Sequence, residues 1–171
     1  VWGKFINAGQ TCIAPDYILV DRRIKGEFLQ ALQNTIHQFF GADPAQSPDF
    51  ARIIHDRHVD RLLALLDQAL LDQAGSNHPR VLVAGDHDRS QRYIAPTVLD
   101  QVTWDNPLME TEIFGPILPI LEYDQLDQAI AQINARPKPL ALYVFSNDRQ
   151  FQDQVQRTTY SGGMVINDTL V

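Results

Sequence analysis

Cysteine is nearly missing from this chain: one thiol, Cys12, stands among 171 residues. A single cysteine excludes an internal disulfide framework, so the fold must rest on packing and needs no oxidising compartment. Long apolar runs are missing too. No stretch approaches the roughly 20 residues that a membrane-spanning helix requires, and no charged-then-apolar leader opens the sequence. Cations are scarce: 14 Lys and Arg face 21 Asp and Glu, for a net charge of −7. That balance argues against nucleic acid or anionic membranes as partners, because both reward clustered basic residues. The expected setting is cytoplasmic. Repeats, low-complexity tracts and linkers are also lacking, so residues 1–171 read as one domain, long enough to bury a proper core.

What is present alternates between two periods. Asp16 to Val20 reads as a short strand. Ile24, Phe28, Leu29, Leu32, Ile36 and Phe39 form an apolar stripe on a helix that Gly41 and Pro44 end. Val59, Leu62, Leu63, Leu66, Ala69 and Leu70 form a second stripe, closed near Gly75. Arg80 to Ala84 is a brief strand, and Tyr93 to Val102 is extended, with Pro96 limiting how centrally it can pair. The run from Gly115 to Tyr123 reads as a strand buried on both faces. Leu126, Ala129, Ile130 and Ile133 give a third helical stripe, followed by a buried strand from Leu140 to Phe145. A polar helix at Arg149 to Arg157 and a last strand from Gly162 to Asn167 complete the pattern. Strands alternating with helices predict an α/β fold: an open, mostly parallel twisted sheet with helices on both faces.

Cys12 has two readings. A lone free cysteine is usually a small buried hydrophobe. Here it lies between a break at Gly9 and Gln10 and the rigid Pro15, a junction where sulfur can face a cleft. A catalytic thiol would then need a base or a cationic setting nearby to make it nucleophilic.

The residues from Gly3 through Cys12 to Tyr17 resemble the nucleophile segment of aldehyde dehydrogenases, most of all the class 3, fatty-aldehyde-like branch. Arg92 to Leu99, the Glu112-Ile113-Phe114-Gly115-Pro116 stretch, Lys138 to Ser146 and Ser161 to Asp168 resemble further segments of that family, in its order. The resemblance covers nearly the whole chain and implies the catalytic-domain type of that fold. It implies that Cys12 adds to an aliphatic or aromatic aldehyde to give a thiohemiacetal. Hydride transfer to NAD or NADP then leaves a thioester, which water hydrolyses. It also implies that Glu112 meets the nicotinamide ribose and Phe114 the ring, and that the full-length protein is a homodimer. Without the resemblance, Glu112 would read as a solvated acid and Phe114 as core packing.

The family's general-base segment, upstream asparagine and Gly-rich cofactor-binding domain find no match here. Both ends read as cuts in a longer chain, with that domain and a C-terminal tail lying outside it, and the fragment is expected to turn over little alone. Two other classes stand beside this reading: a thiol hydrolase pairing Cys12 with a histidine, and a non-catalytic assembly domain whose Cys12 is buried and inert. His55, His58, His78 and His87 read as surface histidines, and no metal site is expected, since three or four convergent ligands are needed. Gly162 and Gly163 suggest a close strand approach. The sequon at Asn167 is discounted, and the resemblance puts Asn167 near the pocket wall.

Overall fold

The computed structural model describes residues 1–71 and 79–170; Gly75 and His78 lie outside the described residues. A short helix α1 (Trp2–Phe5) and a tight turn lead into β1 (Ile18–Asp21). Helices α2 (Lys25–Phe40) and α3 (Asp56–Leu71) follow, then β2 (Arg80–Val83), the small strands β3 (His87–Asp88) and β4 (Tyr93–Ile94), and β5 (Thr97–Asp100). The chain continues through β6 (Ile117–Tyr123), α4 (Leu126–Asn134), β7 (Ala141–Val144), α5 (Arg149–Thr158) and β8 (Gly163–Ile166).

The main sheet has the order β1-β6-β5-β2. β6 is parallel to both β1 and β5, while β2 runs antiparallel to β5 at the edge. The sheet is therefore α/β and mostly parallel, with one reversed edge strand. Its middle strand β6 is buried from Ile117 to Leu121, as its unbroken apolar run demands. The stripes of α2 and α3 pack into one large core, with Leu29, Leu32, Ile36, Val59 and Leu62 against the sheet strands. Lys25 ties the start of α2 to the sheet through Asp100 at 2.8 Å and Glu122 at 2.7 Å.

Three expectations change. Phe39 is exposed and Phe40 is buried in its place, because the helical stripe drifts by one position near its end. Pro96 does not keep the extended segment at an edge: it breaks the segment into β4 and β5, and β5 pairs on both sides. The strand around Leu140 to Phe145 is not buried on both faces. Among the described residues β7 pairs only with β8, in a separate parallel pair, and Leu140 and Phe145 are exposed. A small second cluster of Ile130, Val144 and Val155 holds this pair to α4 and α5. Gly162 does make the close approach expected of it, since an added Cβ would lie 2.6 Å from the Leu140 carbonyl oxygen. Among the described residues no helix is long and apolar enough to cross a membrane.

Ile120 sits in the middle of β6, 1% exposed, and truncation would leave a cavity that flanking strands cannot close. Ile120→Ala should therefore lower unfolding free energy by about 2–5 kcal/mol, read from the urea midpoint at unchanged slope. A shift much smaller than that would contradict the packing described.

Candidate active site

β1 and β6 are parallel neighbours, with Ile18 opposite Ile120. The segments that enter them therefore arrive at the same end of the sheet. One is the turn that carries Cys12; the other is the connection from β5 to β6, residues 101–116, which carries Glu112 and Phe114. Adjacent parallel strands require a crossover of a dozen or more residues. That need supplies the length on which a site can be built.

The turn is wound in the left-handed region. Asn7, Ala8 and Gly9 have φ of 51°, 52° and 74°. Asn7 closes it by donating from its side-chain amide to the Gln10 carbonyl at 3.1 Å, while the Gln10 N–H donates to the Asn7 carbonyl at 3.1 Å. The Gln10 side chain reaches across to a second loop, donating to the Arg52 carbonyl at 3.1 Å and accepting from the Ile54 N–H at 2.9 Å. Beyond the thiol, the Tyr143 hydroxyl donates to the Ile13 carbonyl at 2.7 Å. Cys12 itself is exposed, so the reading as a buried, inert hydrophobe does not hold.

Turn and loop are in direct contact. An added Cβ on Gly9 would lie 2.7 Å from the Gly115 carbonyl carbon, and one added on Gly115 would lie 2.5 Å from a Leu62 methyl group, so the packing of Leu62 leaves no room for a side chain there. Asp16 accepts a hydrogen bond from the Ile113 N–H at 3.0 Å. From the other side α3 holds the same loop. Arg61 donates to the Ile113 carbonyl and, at 3.4 Å, to the Glu112 carbonyl. Arg61 Nε also donates to His58 Nδ1 at 3.2 Å, so the other ring nitrogen of His58 carries the proton and donates to the Phe114 carbonyl at 2.7 Å. These clamps hold Phe114 at φ 50°, a left-handed conformation that costs an L-residue about 1–2 kcal/mol. The result is an exposed Glu112 carboxylate and a half-buried Phe114 ring, on an immobilised backbone at the thiol's end of the sheet.

Charge gathers underneath. Lys4 is 3% exposed, and burial pushes its ammonium down to about 8 against the attraction of Asp16 and Glu112. Burial pushes the Asp16 carboxyl up, while Lys4, the Ile113 N–H and Arg61 pull it back. His58 lies below its ordinary value because it is partly buried; its bond to Phe114 opposes the shift only in part.

Several of these residues escaped the sequence reading. His58 is not a free surface histidine, as expected, but half-buried and engaged at both ring nitrogens. His55 is exposed and sits at the start of α3, accepting from the His58 N–H. Lys4, Asp16, Arg61 and Gln10 carried no motif of their own; a lone lysine inside the apolar Trp2-to-Ile6 stretch was the available signal. Trp2 and Ile6, which precede the thiol, are exposed at 48% and 39%. Asn167 spends its amide on Ser146, accepting from its N–H at 2.9 Å and donating to its carbonyl at 3.1 Å. Among the described residues no group of three or more His, Cys, Asp or Glu could hold a metal ion.

Comparison with known proteins gives one answer. Residues 1–171 match the model of the aldehyde dehydrogenase family. The chain is 48% identical to the 4,4'-diaponeurosporen-aldehyde dehydrogenase of Staphylococcus aureus, over 99% of this chain and 35% of that protein. It is 46% identical to the dimeric NADP-preferring aldehyde dehydrogenase of Mus musculus, over 99% of this chain and 35% of the relative. It is 48% identical to human aldehyde dehydrogenase family 3 member B1, over 98% and 34%. The substrate-bound structure of Staphylococcus aureus AldH superposes with a TM-score of 0.91 at 48% identity, covering 99% of this chain and 35% of that one. The chain thus spans about a third of the length of these relatives.

Two outcomes follow from the geometry. Gly9→Ala forces a Cβ into the Gly115 carbonyl at positive φ, and should destabilise the fold by about 1–3 kcal/mol, read by thermal unfolding. The His58 shift has a definite sign. Its folded value is depressed, so the unfolded chain binds the proton first as acidity rises. Stability should fall as pH drops below about 6.5, the ordinary histidine value, and level off below the folded value. His58→Gln, which can still donate to Phe114, should remove this part of the pH dependence of the unfolding midpoint.

Proposed function

The chain belongs to the aldehyde dehydrogenase family, and from that premise we propose that it is the thiol-bearing part of an enzyme oxidising an aldehyde to a carboxylic acid. The supporting observation is the convergence of the Cys12 turn and the Glu112–Phe114 loop at one end of β1 and β6, sealed by Gly9 against Gly115 and by Asp16 on Ile113.

The exposed Cys12 gives its thiol proton to solvent and adds through the thiolate sulfur to the aldehyde carbonyl carbon, forming a C–S bond as the carbonyl π bond breaks to a thiohemiacetal oxyanion. The Cys12 N–H makes no main-chain hydrogen bond among the described residues, which leaves it free to donate to that oxyanion. When bound, NAD(P)+ supplies the hydride acceptor. Glu112 would accept hydrogen bonds from its ribose hydroxyls, and the Phe114 ring would pack beside its nicotinamide; an exposed carboxylate and a half-buried aromatic on one rigid loop fit that group. Loss of hydride from the carbon leaves a thioester on Cys12. Water, activated by a base outside this chain, then releases the acid and the thiol. Sulfur suits both halves because it attacks and leaves readily.

The exposed Trp2 and Ile6 beside the turn suit the apolar tail of an aliphatic or aromatic aldehyde. The reading extends to a cofactor-binding domain elsewhere in the protein, a homodimer, and a cytoplasmic setting. A thiol hydrolase is disfavoured, because His58, the histidine bonded to the loop, has both ring nitrogens engaged and no proton acceptor to offer Cys12.

In the complete protein, Cys12→Ala should cut acid formation by on the order of 1,000-fold or more, with cofactor binding retained. Glu112→Gln should raise KM for the cofactor about tenfold while iodoacetamide still alkylates Cys12 at the native rate. The 171-residue chain alone should be alkylated yet form little acid. Acid formation that survives Cys12→Ala would overturn the proposal.

A further inference from the structure

Tyr143 lies 130 residues beyond Ile13 in the chain, yet its hydroxyl donates to the Ile13 carbonyl at 2.7 Å. The chemistry above gives that bond no task. We propose that Tyr143 is a positioning residue for the oxyanion: by holding the Ile13 carbonyl it fixes the turn around the thiol, and so aims the Cys12 N–H at the oxygen that gains charge. The proposal rests on the reading of Cys12 as nucleophile, with its N–H as oxyanion donor, given above.

The link runs through two peptide groups, each planar, with its carbonyl and N–H pointing opposite ways. The Ile13 carbonyl and the Ala14 N–H belong to the first. That N–H donates to the Thr11 carbonyl at 3.0 Å, closing a four-residue turn with Cys12 and Ile13 at its centre. The Thr11 carbonyl and the Cys12 N–H belong to the second peptide group. A direction imposed at the Ile13 oxygen therefore passes to the Cys12 N–H, which has no main-chain partner among the described residues. Hydrogen bonds in a chain also polarise one another. The hydroxyl makes the Ala14 N–H a stronger donor and, through the Thr11 carbonyl, the Cys12 N–H as well.

The turn has little else to hold it. Pro15 carries no N–H, so it cannot add the next helical bond back to Thr11. Among the described residues the Ile13 carbonyl accepts from no main-chain N–H, and Tyr143 is the one side chain bonded to it. Strand alternation explains why β7 supplies this contact. Leu142 and Val144 turn to the small cluster of Ile130 and Val155, so Tyr143 between them projects from the other face. Stability does not call for the hydroxyl. At a half-buried site water can replace such a bond, so its net contribution is small, and phenylalanine would pack the same ring.

The test compares two reactions of the Cys12 sulfur in the complete protein. p-Nitrophenyl acetate is attacked at its carbonyl carbon; an oxyanion forms, then collapses to expel p-nitrophenolate and leave an acetyl thioester. Iodoacetamide is attacked at a saturated carbon, where the C–S bond forms as iodide leaves and no oxyanion appears. Tyr143→Phe should slow acylation about tenfold, less than the roughly 100- to 1,000-fold of losing a donor outright, because the Cys12 N–H itself remains. Alkylation and KM for the cofactor should keep their native values. Val155→Ala is the control for loosening: it weakens the small cluster behind β7 without touching the hydroxyl, and should leave the ratio of the two rates as in the native protein. An unchanged acylation rate in Tyr143→Phe, an equal fall in both reactions, or the same split in Val155→Ala would overturn the proposal. Cys12→Ala separates the two readings. If p-nitrophenolate is still released at the native rate in that variant, the nucleophile reading falls; if release is lost there while Tyr143→Phe reacts as the native protein does, only the role of Tyr143 falls.

Discussion

The parallel pairing of β1 with β6 is the constraint on which the rest depends. It brings two segments nearly a hundred residues apart to one end of the sheet, and contact between their backbones does the rest. Gly9 allows that contact because it has no side chain, and Gly115 is pinned from behind by Leu62. The single hydrogen bond from Ile113 to Asp16 then sets the register between turn and loop. Open α/β sheets commonly take ligands beyond the carboxyl ends of their strands. Here the candidate groups gather in front of β1 and β6, where the chain enters, so position relative to the strands could not have been inferred from the general rule.

The loop is held in a conformation that it would not choose. Phe114 and the turn residues Asn7 and Ala8 all occupy the left-handed region, which persists only where surroundings over-determine it. At Phe114 those surroundings are an acid, an arginine and a neutral histidine, each bonded to a main-chain atom of the loop. The two bonds to charged groups, from Asp16 and Arg61, are stronger than neutral ones, and burial sharpens them. They also carry a cost, since each charge loses water. The junction is therefore built for placement more than for stability, while Ile120, Leu121, Leu99 and their neighbours in the main core supply the stability.

Much of this was legible in the sequence, for physical reasons. The buried run from Ile117 to Leu121 and the stripes of α2 and α3 follow from periodicity, because a strand buried on both faces and a half-buried helix leave different patterns. Cys12, Glu112 and Phe114 stood out through ordered motifs. What was not legible is cross-chain chemistry. Asp16, Arg61 and His58 act on backbone atoms of a distant loop, and a backbone acceptor leaves no mark in the sequence. Pro96 misled because its effect is local: it ended one short strand and let the next pair freely on both sides. The strand at Leu140 to Phe145 misled because apolar content does not tell whether a second face is covered.

The half-buried β7 bears on the site all the same. Its Tyr143 hydroxyl reaches the carbonyl next to Cys12, so the turn is tied to both clusters of the fold. The ties differ in strength. On the loop side the turn leans on the large core through Gly9, Asp16 and Gln10. On the other side it depends on a pair of strands backed by the three buried residues of the small cluster. Few buried contacts mean a low free energy of local opening. Opening of that smaller part would release Ile13 while leaving Asp16 on Ile113, so the thiol would gain freedom before the Glu112–Phe114 loop did. The two halves of the candidate site are thus coupled through the backbone at Gly9, yet they draw their rigidity from different parts of the protein.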